Sequence, residues 1–145
     1  MSADTPLTLH ATTVAINGRA VMLTGPSGAG KSDLALRLID RGAVLISDDY
    51  TVIEQHSGVA VASPPATIAG RIEVRALGIV SVPFVSSIPV DLMVSVGDEM
   101  ERMPEPGWYE LAGCRVRTIV IDPRPASAPI KVEWALQQVT RGHAA

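Results

Sequence analysis

The sequence predicts one α/β domain over residues 1–145, built from many short strands and two helices. Apolar runs rich in Val, Ile and Thr recur along the chain and are typical of strands. Helical spacing of apolar residues is clear only over residues 32–41 and 128–141. A glycine-rich loop joins an apolar strand to the first of these helices. Hydrophobic residues make up 47% of the 145 residues and charged residues 19%, which is enough apolar material for a real core.

Composition and charge argue against several classes of partner. The net charge is −3 and aromatic residues are only 3% of the chain, so neither a basic stripe nor a stacking platform for nucleic acid is expected. The sequence contains one cysteine, Cys114, which fits a reducing compartment. We find no basic and apolar leader at the N-terminus and no apolar stretch long enough for a membrane span. These features predict a cytoplasmic protein that partners neither nucleic acid nor membrane.

The first half of the chain reads as alternating strands and turns. Residues 7–16 are predicted to form one strand, and residues 20–24 the next. Asn17-Gly18 between them favours a tight hairpin turn, because both residue types accept positive φ. Residues 43–47 form another apolar strand, and the chain continues extended over residues 50–53.

The second half is less regular. Residues 68–82 contain strand-like material whose limits the pattern does not define. Residues 90–96 are predicted to be a buried strand, and Ala112-Gly113 is expected to close a hairpin between residues 108–111 and 115–121. In the last helix the spacing predicts that four side chains face the core, namely Ile130, Trp134, Leu136 and Val139.

The glycine-rich loop fits the phosphate-binding pattern G-x-x-x-x-G-K-[ST]. Its glycines allow successive backbone N–H groups to point at phosphate oxygens, and the following helix directs its positive end to the same place. The lysine is expected to reach the outer phosphates and the last serine to bind Mg²⁺. The strand before the loop and the helix after it make the pattern specific. The predicted nucleotide-binding residues are Gly25, Pro26, Ser27, Gly28, Ala29, Gly30, Lys31 and Ser32.

Charged residues elsewhere have both functional and ordinary interpretations. Asp48 and Asp49 end an apolar strand, where one could hold Mg²⁺ and the other could take a proton from a hydroxyl. An ordinary turn at a strand end would also place Asp there. On their own, His10 in a Thr-rich strand, Glu73 in an alternating strand and Arg102 in a polar loop fit a structural residue or a solvated surface.

Together these motifs resemble, in order, those of the catalytic domain of the HPr kinase/phosphorylase family. The matching segments are His10 before the loop, GPSGAGKSDLALRLIDRG, LISDDY, IEVRALGIVSV and ERMPE. The resemblance implies a nucleotide-binding fold of the HPr kinase and PEP carboxykinase-like type, with a β-rich mixed sheet, a P-loop helix and a C-terminal helix. It also implies an ATP- and Mg²⁺-dependent protein serine kinase that phosphorylates HPr, the phosphocarrier protein of the phosphotransferase system, and so regulates carbohydrate metabolism.

The same resemblance assigns roles to individual residues. Asp49 corresponds to the acid/base that takes the serine proton. Glu73 joins Ser32 and Asp48 as a candidate Mg²⁺ ligand. His10, Lys31 and Arg102 correspond to the remaining catalytic residues.

The sequence departs from the family pattern at four points, one of which is Asp33 in place of the glutamate common after the P-loop serine. The N-terminal domain usual in the family is not expected, because the P-loop begins at Gly25. The signature glycine after Arg75 is replaced by Ala76. Residues 122–129 occupy the place of a proline- and arginine-rich loop tied to dephosphorylation, without matching it. Kinase activity is therefore expected and phosphorylase activity is not.

Other functions fit the same residues. A small kinase domain could phosphorylate a different peptide or a small-molecule hydroxyl. A nucleotide-binding regulator without turnover is a third interpretation, although the presence of Lys31, Asp49 and Glu73 argues against a dead site. No NKxD-type guanine-reading segment occurs, so ATP is favoured over GTP. Homo-oligomerisation stays open, with the last helix as either a core element or a subunit contact.

Overall fold

The computed structural model describes residues 5–97 and 107–143, with side chains to residue 139. In chain order it opens with β1 (Leu7–His10), β2 (Thr12–Ile16), β3 (Arg19–Thr24), α1 (Lys31–Asp40), β4 (Val44–Ser47), β5 (Tyr50–His56) and β6 (Val59–Ser63). A 3-10 turn (Ala66–Ile68) and a ribbon of β7 (Arg71–Val74) and β8 (Gly78–Ser81) follow. The chain ends with β9 (Ile88–Val96), β10 (Gly107–Leu111), β11 (Cys114–Ile121) and α2 (Ala128–His143).

Within the described residues, nine strands form one mixed sheet in the order β1-β5-β6-β9-β3-β2-β4, with β11 also beside β9 and β10 beside β11. β9 is central, since it runs parallel to both β3 and β11 and antiparallel to β6. The β-rich mixed sheet with a P-loop helix and a C-terminal helix is therefore confirmed. Neither helix in the part of the chain described here is both long and apolar enough to cross a membrane.

Side chains alternate between the two faces of β3, as the two-residue period of a strand requires. Val21 and Leu23 join a cluster with Leu34 and Leu38 of α1 and with residues of α2. Ala20 and Met22 point to the opposite face and join a second cluster there with buried residues of other strands. Burial on both faces explains why β3 is a continuous apolar run, and it fixes the position of the loop that follows.

The predicted turns are confirmed, and one predicted strand is wrong. Asn17 and Gly18 have φ of 53° and 79°, and they close the hairpin between β2 and β3. Residues 7–16 are two strands separated at Ala11. β1 pairs with β5, whereas β2 pairs with β3 and β4. At the break the chain changes its pairing partners from β5 to β3 and β4. Local strand propensity does not reveal such a change, because it depends on distant strands.

The prediction for the last helix was half wrong. Leu136 and Val139 are buried, but Ile130 is 36% exposed and Trp134 is 65% exposed. The buried stripe runs through Ala128, Val132, Leu136 and Val139, at steps of three and four residues. Trp134 lies two residues, or about 200° of helix rotation, beyond Val132 and therefore faces away from the sheet. Trp134 is thus no part of the core.

Candidate active site

The P-loop has the backbone geometry that the glycines predict. Gly25, Gly28 and Gly30 all have positive φ, of 144°, 84° and 104°. A Cβ on Gly25 would lie 2.9 Å from the carbonyl oxygen of Val96, so only glycine fits beside the end of β9. Gly30 is the N-cap of α1, and its lack of a side chain leaves the first N–H groups of the helix without a local cap. This end of α1 is suited to an anion such as phosphate.

Lys31 bends back over this loop. Its Nζ donates to the carbonyl oxygens of Gly25 and Pro26, at 2.8 and 3.0 Å, and the residue is 6% exposed. The ammonium group is therefore held at the mouth of the loop, where it can meet phosphate oxygens with a small movement.

Asp48 connects three separate elements through its buried carboxylate, and the residue is 7% exposed. Oδ1 accepts hydrogen bonds from the hydroxyls of Thr12, at 3.0 Å, and Ser32, at 2.7 Å. Oδ2 accepts from the backbone N–H of Glu73 at 2.9 Å. One side chain thus holds the start of β2, the P-loop helix and the β7–β8 ribbon together.

Asp49 is arranged differently from its neighbour. Its side chain is 59% exposed, and Oδ1 lies 2.9 Å from Nε2 of His10. Its backbone has φ of 72°, in the left-handed region that non-glycine residues rarely adopt. The Asp49 carboxylate thus faces solvent, whereas the Asp48 carboxylate is buried. The pair therefore consists of one buried, fully bonded carboxylate and one open carboxylate.

These groups share one cleft of 690 Å³ beside the P-loop. The cleft is lined by Thr12, Ser27, Gly28, Gly30, Lys31, Ser32, Asp33, Leu36, Asp48, Asp49, Glu73, Val74 and Arg75. The structure thus brings the predicted Lys31, Ser32, Asp48, Asp49 and Glu73 together, and His10 joins them through Asp49. Arg102 lies outside the described residues.

Five cleft residues were not assigned there from the sequence, namely Thr12, Asp33, Leu36, Val74 and Arg75. Arg75 follows the end of β7 and lines the cleft. Thr12 was missed altogether. A threonine in a Thr-rich strand gives no local signal, and only the break at Ala11 explains why its side chain reaches the aspartates.

The oxygen donors in the cleft are of the kind that Mg²⁺ prefers. They are the Ser32 hydroxyl and the carboxylates of Asp48 and Glu73. Among residues 5–97 and 107–143, no three His, Cys, Asp or Glu side chains form a group that could hold a metal by themselves. A P-loop site fits this arrangement, since phosphate and water oxygens supply most of the ligands of its metal.

Comparison with known proteins agrees with this geometry. Residues 3–87 match the family model of the HPr serine kinase C-terminal domain. The chain belongs to this family. It is 33% identical over 129 residues to the HPr kinase/phosphorylase of Clostridium acetobutylicum, covering 85% of this chain and 42% of that protein. It is 35% identical to the HPr kinase/phosphorylase of Caldicellulosiruptor bescii, covering 82% and 43%. The chain therefore spans less than half the length of these curated relatives.

A solved structure matches over almost the whole chain. The Hpr(Ser) kinase/phosphatase from Coxiella burnetii superposes with a TM-score of 0.78 at 27% identity. The match covers 95% of this chain and 90% of that one. The fold described above is therefore shared with another member of the family.

Proposed function

We propose that this chain is a cytoplasmic protein serine kinase that transfers the γ-phosphate of ATP, in the presence of Mg²⁺, to a serine of HPr. The observation that carries the proposal is the single cleft in which the phosphate loop meets the open carboxylate of Asp49. The relatives named above act on HPr by name, which supplies the acceptor. A role in regulating the phosphotransferase system follows from that acceptor.

The phosphate half of the reaction rests on the P-loop. Its backbone N–H groups and the positive end of α1 would bind the phosphate oxygens of ATP, and Lys31 would neutralise the outer phosphates. Ser32 and Glu73 would bind Mg²⁺, which supplies further charge neutralisation. Both oxygens of Asp48 already accept hydrogen bonds, so we expect Asp48 to act mainly by orienting the Ser32 hydroxyl.

The acceptor half rests on Asp49. Its exposed carboxylate would accept the proton of the serine hydroxyl while the hydroxyl oxygen attacks the γ-phosphorus. The bond from the γ-phosphorus to its bridging oxygen breaks, and ADP leaves with that oxygen. His10 would hold Asp49 through Nε2 during this step, so that the carboxylate faces the hydroxyl. Phosphoryl transfer depends mostly on such positioning and charge neutralisation.

The kinase assignment is tested by transfer from γ-labelled ATP to purified HPr. We expect labelled HPr with the wild-type chain, and none when the acceptor serine of HPr is changed to alanine. Lys31→Ala should abolish transfer. Lys131→Ala removes the only other lysine of the sequence, on the exposed side of α2, and should leave transfer unchanged.

The outcome separates this proposal from its alternatives. ATP binding without transfer to HPr would contradict the proposed acceptor, and transfer to other peptides or small hydroxyl compounds would then identify a different kinase. ATP binding without transfer to any hydroxyl would indicate a nucleotide-binding regulator. Incubation of serine-phosphorylated HPr with inorganic phosphate tests the reverse reaction, which we expect to be absent because residues 122–129 do not match the family's dephosphorylation loop.

A further inference from the structure

The hydroxyl of Thr12 lies between the two aspartates and bonds to both. It donates its hydrogen to Oδ1 of Asp48 at 3.0 Å, and it accepts the backbone N–H of Asp49 at 3.1 Å. Thr12 is 1% exposed, so water does not replace either bond. A hydroxyl has one hydrogen and free lone pairs, and it can therefore serve as donor and acceptor at the same time.

The hydrogen bond to Thr12 helps to hold the backbone of Asp49 in its left-handed conformation. A left-handed conformation is unfavourable for a non-glycine residue, so the surroundings must hold it in place. The peptide groups on either side contribute, since Ala11 N–H donates to Asp49 O and Tyr50 N–H donates to Asp48 O. The Thr12 hydroxyl is the side-chain group that holds the Asp49 N–H.

His10 and Thr12 flank the break between β1 and β2 and act on different parts of Asp49. His10 bonds to the carboxylate, and Thr12 bonds to the backbone amide. The Thr12 and Ser32 hydroxyls both donate to Oδ1 of Asp48, so Thr12 is also connected to the proposed metal site. The hydroxyl oxygen of Thr12 thus connects Asp49, the proposed base, to Asp48, which supports the proposed metal site.

We propose that Thr12 is a positioning residue, whose hydroxyl sets the direction of the Asp49 carboxylate relative to the phosphates held by the P-loop. This inference rests on the kinase function proposed above and adds to it a residue that acts through Asp49. Its loss should lower the rate of transfer more than the affinity for ATP, because the P-loop contacts are made by other residues.

Thr13 provides a matched control on the same strand. It is 0% exposed, and its hydroxyl bonds to that of Thr51 at 2.8 Å, on the side away from the aspartates. Thr12→Val and Thr13→Val each replace a buried hydroxyl by a methyl group of nearly the same size. Both should lower stability, because each removes a buried hydrogen bond, although the Thr51 hydroxyl keeps its bond to the carbonyl oxygen of Ala11 in Thr13→Val. Only Thr12→Val should disturb the aspartates.

Steady-state transfer and amide exchange test the inference together. At saturating Mg²⁺ we expect Thr12→Val to lower kcat about 10-fold or more, with KM for ATP changed by less than about threefold. Thr12→Ser keeps the hydroxyl and should restore most of kcat, and Thr13→Val should stay near wild type. By NMR, the amide hydrogen of Asp49 should exchange faster in Thr12→Val than in wild type or Thr13→Val, under conditions where all are folded.

Each outcome decides the inference. Equal kcat for Thr12→Val and Thr13→Val, or a loss in Thr12→Ser as large as in Thr12→Val, would overturn it. Should Thr12→Val fail to fold, Thr12→Ala gives the same comparison with Thr12→Ser. If the wild-type chain transfers no phosphate, the kinase proposal itself is wrong. The exchange rate of the Asp49 amide then still shows whether Thr12 holds that segment.

Discussion

The Ser32 hydroxyl donates a 2.7 Å hydrogen bond to Oδ1 of Asp48, and so connects the first turn of α1 to the end of β4. The bond uses the one hydrogen of the Ser32 hydroxyl, whose oxygen can still act as an acceptor or ligand. A hydroxyl that binds a metal through its oxygen can still donate its hydrogen, so the bond is compatible with a P-loop magnesium site. It links the most buried acid of the site to Ser32, which we propose as a Mg²⁺ ligand.

Asp48→Asn should impair both stability and transfer. The carboxylate accepts from three donors, whereas an amide has only one accepting atom and would direct N–H groups at at least one of these donors. We expect a loss of about 1–3 kcal/mol in the free energy of unfolding. We also expect a higher Mg²⁺ concentration for half-maximal transfer, because the neutral amide is a weaker acceptor for the Ser32 hydroxyl and its NH2 group faces the N–H of Glu73. Denaturant unfolding and a Mg²⁺ titration measure the two effects, and an unchanged titration would contradict this role.

His10→Gln should slow phosphate transfer and leave ATP binding intact. The imidazole contacts Asp49 and the ring of Tyr50, and it does not line the cleft that holds the phosphate loop. Removal of a group that orients a general base should cost about 10-fold or more in kcat.

His56→Gln is the matched control for His10→Gln. His56 pairs with Glu54 at 3.3 Å on β5, and neither residue lines the cleft. Transfer should therefore be unchanged in this variant. Equal rates for the two glutamine variants would remove His10 from the catalytic residues.

Ala76→Gly should stabilise the protein. Ala76 has φ of 78° in the turn between β7 and β8, which is the position where the family signature has glycine. Relief of left-handed strain offsets the greater chain entropy of glycine, and we expect a net gain of about 1 kcal/mol. Ala69, with φ of −58°, is the control, and Ala69→Gly should destabilise by about 0.5–1 kcal/mol. The same sign for both substitutions in denaturant unfolding would contradict the argument.

Asp122 should contribute to the loss of stability of the folded protein at acidic pH. Hydrogen bonds from the Arg124 side chain and backbone lower the pKa of Asp122 to about 2 from its ordinary 3.8. A carboxylate with a lowered pKa in the folded state stabilises that state above its ordinary pKa, and the stabilisation is lost as the pH falls from about 4 to about 2. The Tm difference between wild type and Asp122→Asn should therefore shrink over this range. A difference that is constant between pH 5 and pH 2 would be inconsistent with the shifted pKa.

Local signals in the sequence predicted much of this molecule. Asn17-Gly18 and Gly113 marked two hairpins because Asn and Gly accept positive φ more readily than other residues. The P-loop was recognisable for the same reason. The break at Ala11 was not, since it depends on which strands β1 and β2 pair with. Thr12 was missed because nothing nearby in the chain marks a partner 36 residues away.

The outward position of Trp134 has a similar origin. Its spacing fits a helical pattern with Ile130, but the sheet selects the stripe of Val132 and Leu136 instead. Large apolar residues at helical spacing thus indicate a helix more reliably than they indicate which side of it is buried. Whether the exposed Trp134 contacts another subunit stays a prediction.

The central claim is that Asp49 acts as the base beside a loop that binds ATP, and Asp49→Asn tests it most directly. The amide keeps the size of the side chain but cannot take the serine proton. We predict that transfer from ATP to HPr falls about 10²-fold or more, with ATP binding unchanged. Glu54→Gln, which removes the carboxylate of the other His-bonded pair, should transfer at the wild-type rate. Transfer by Asp49→Asn within about twofold of wild type would contradict the account.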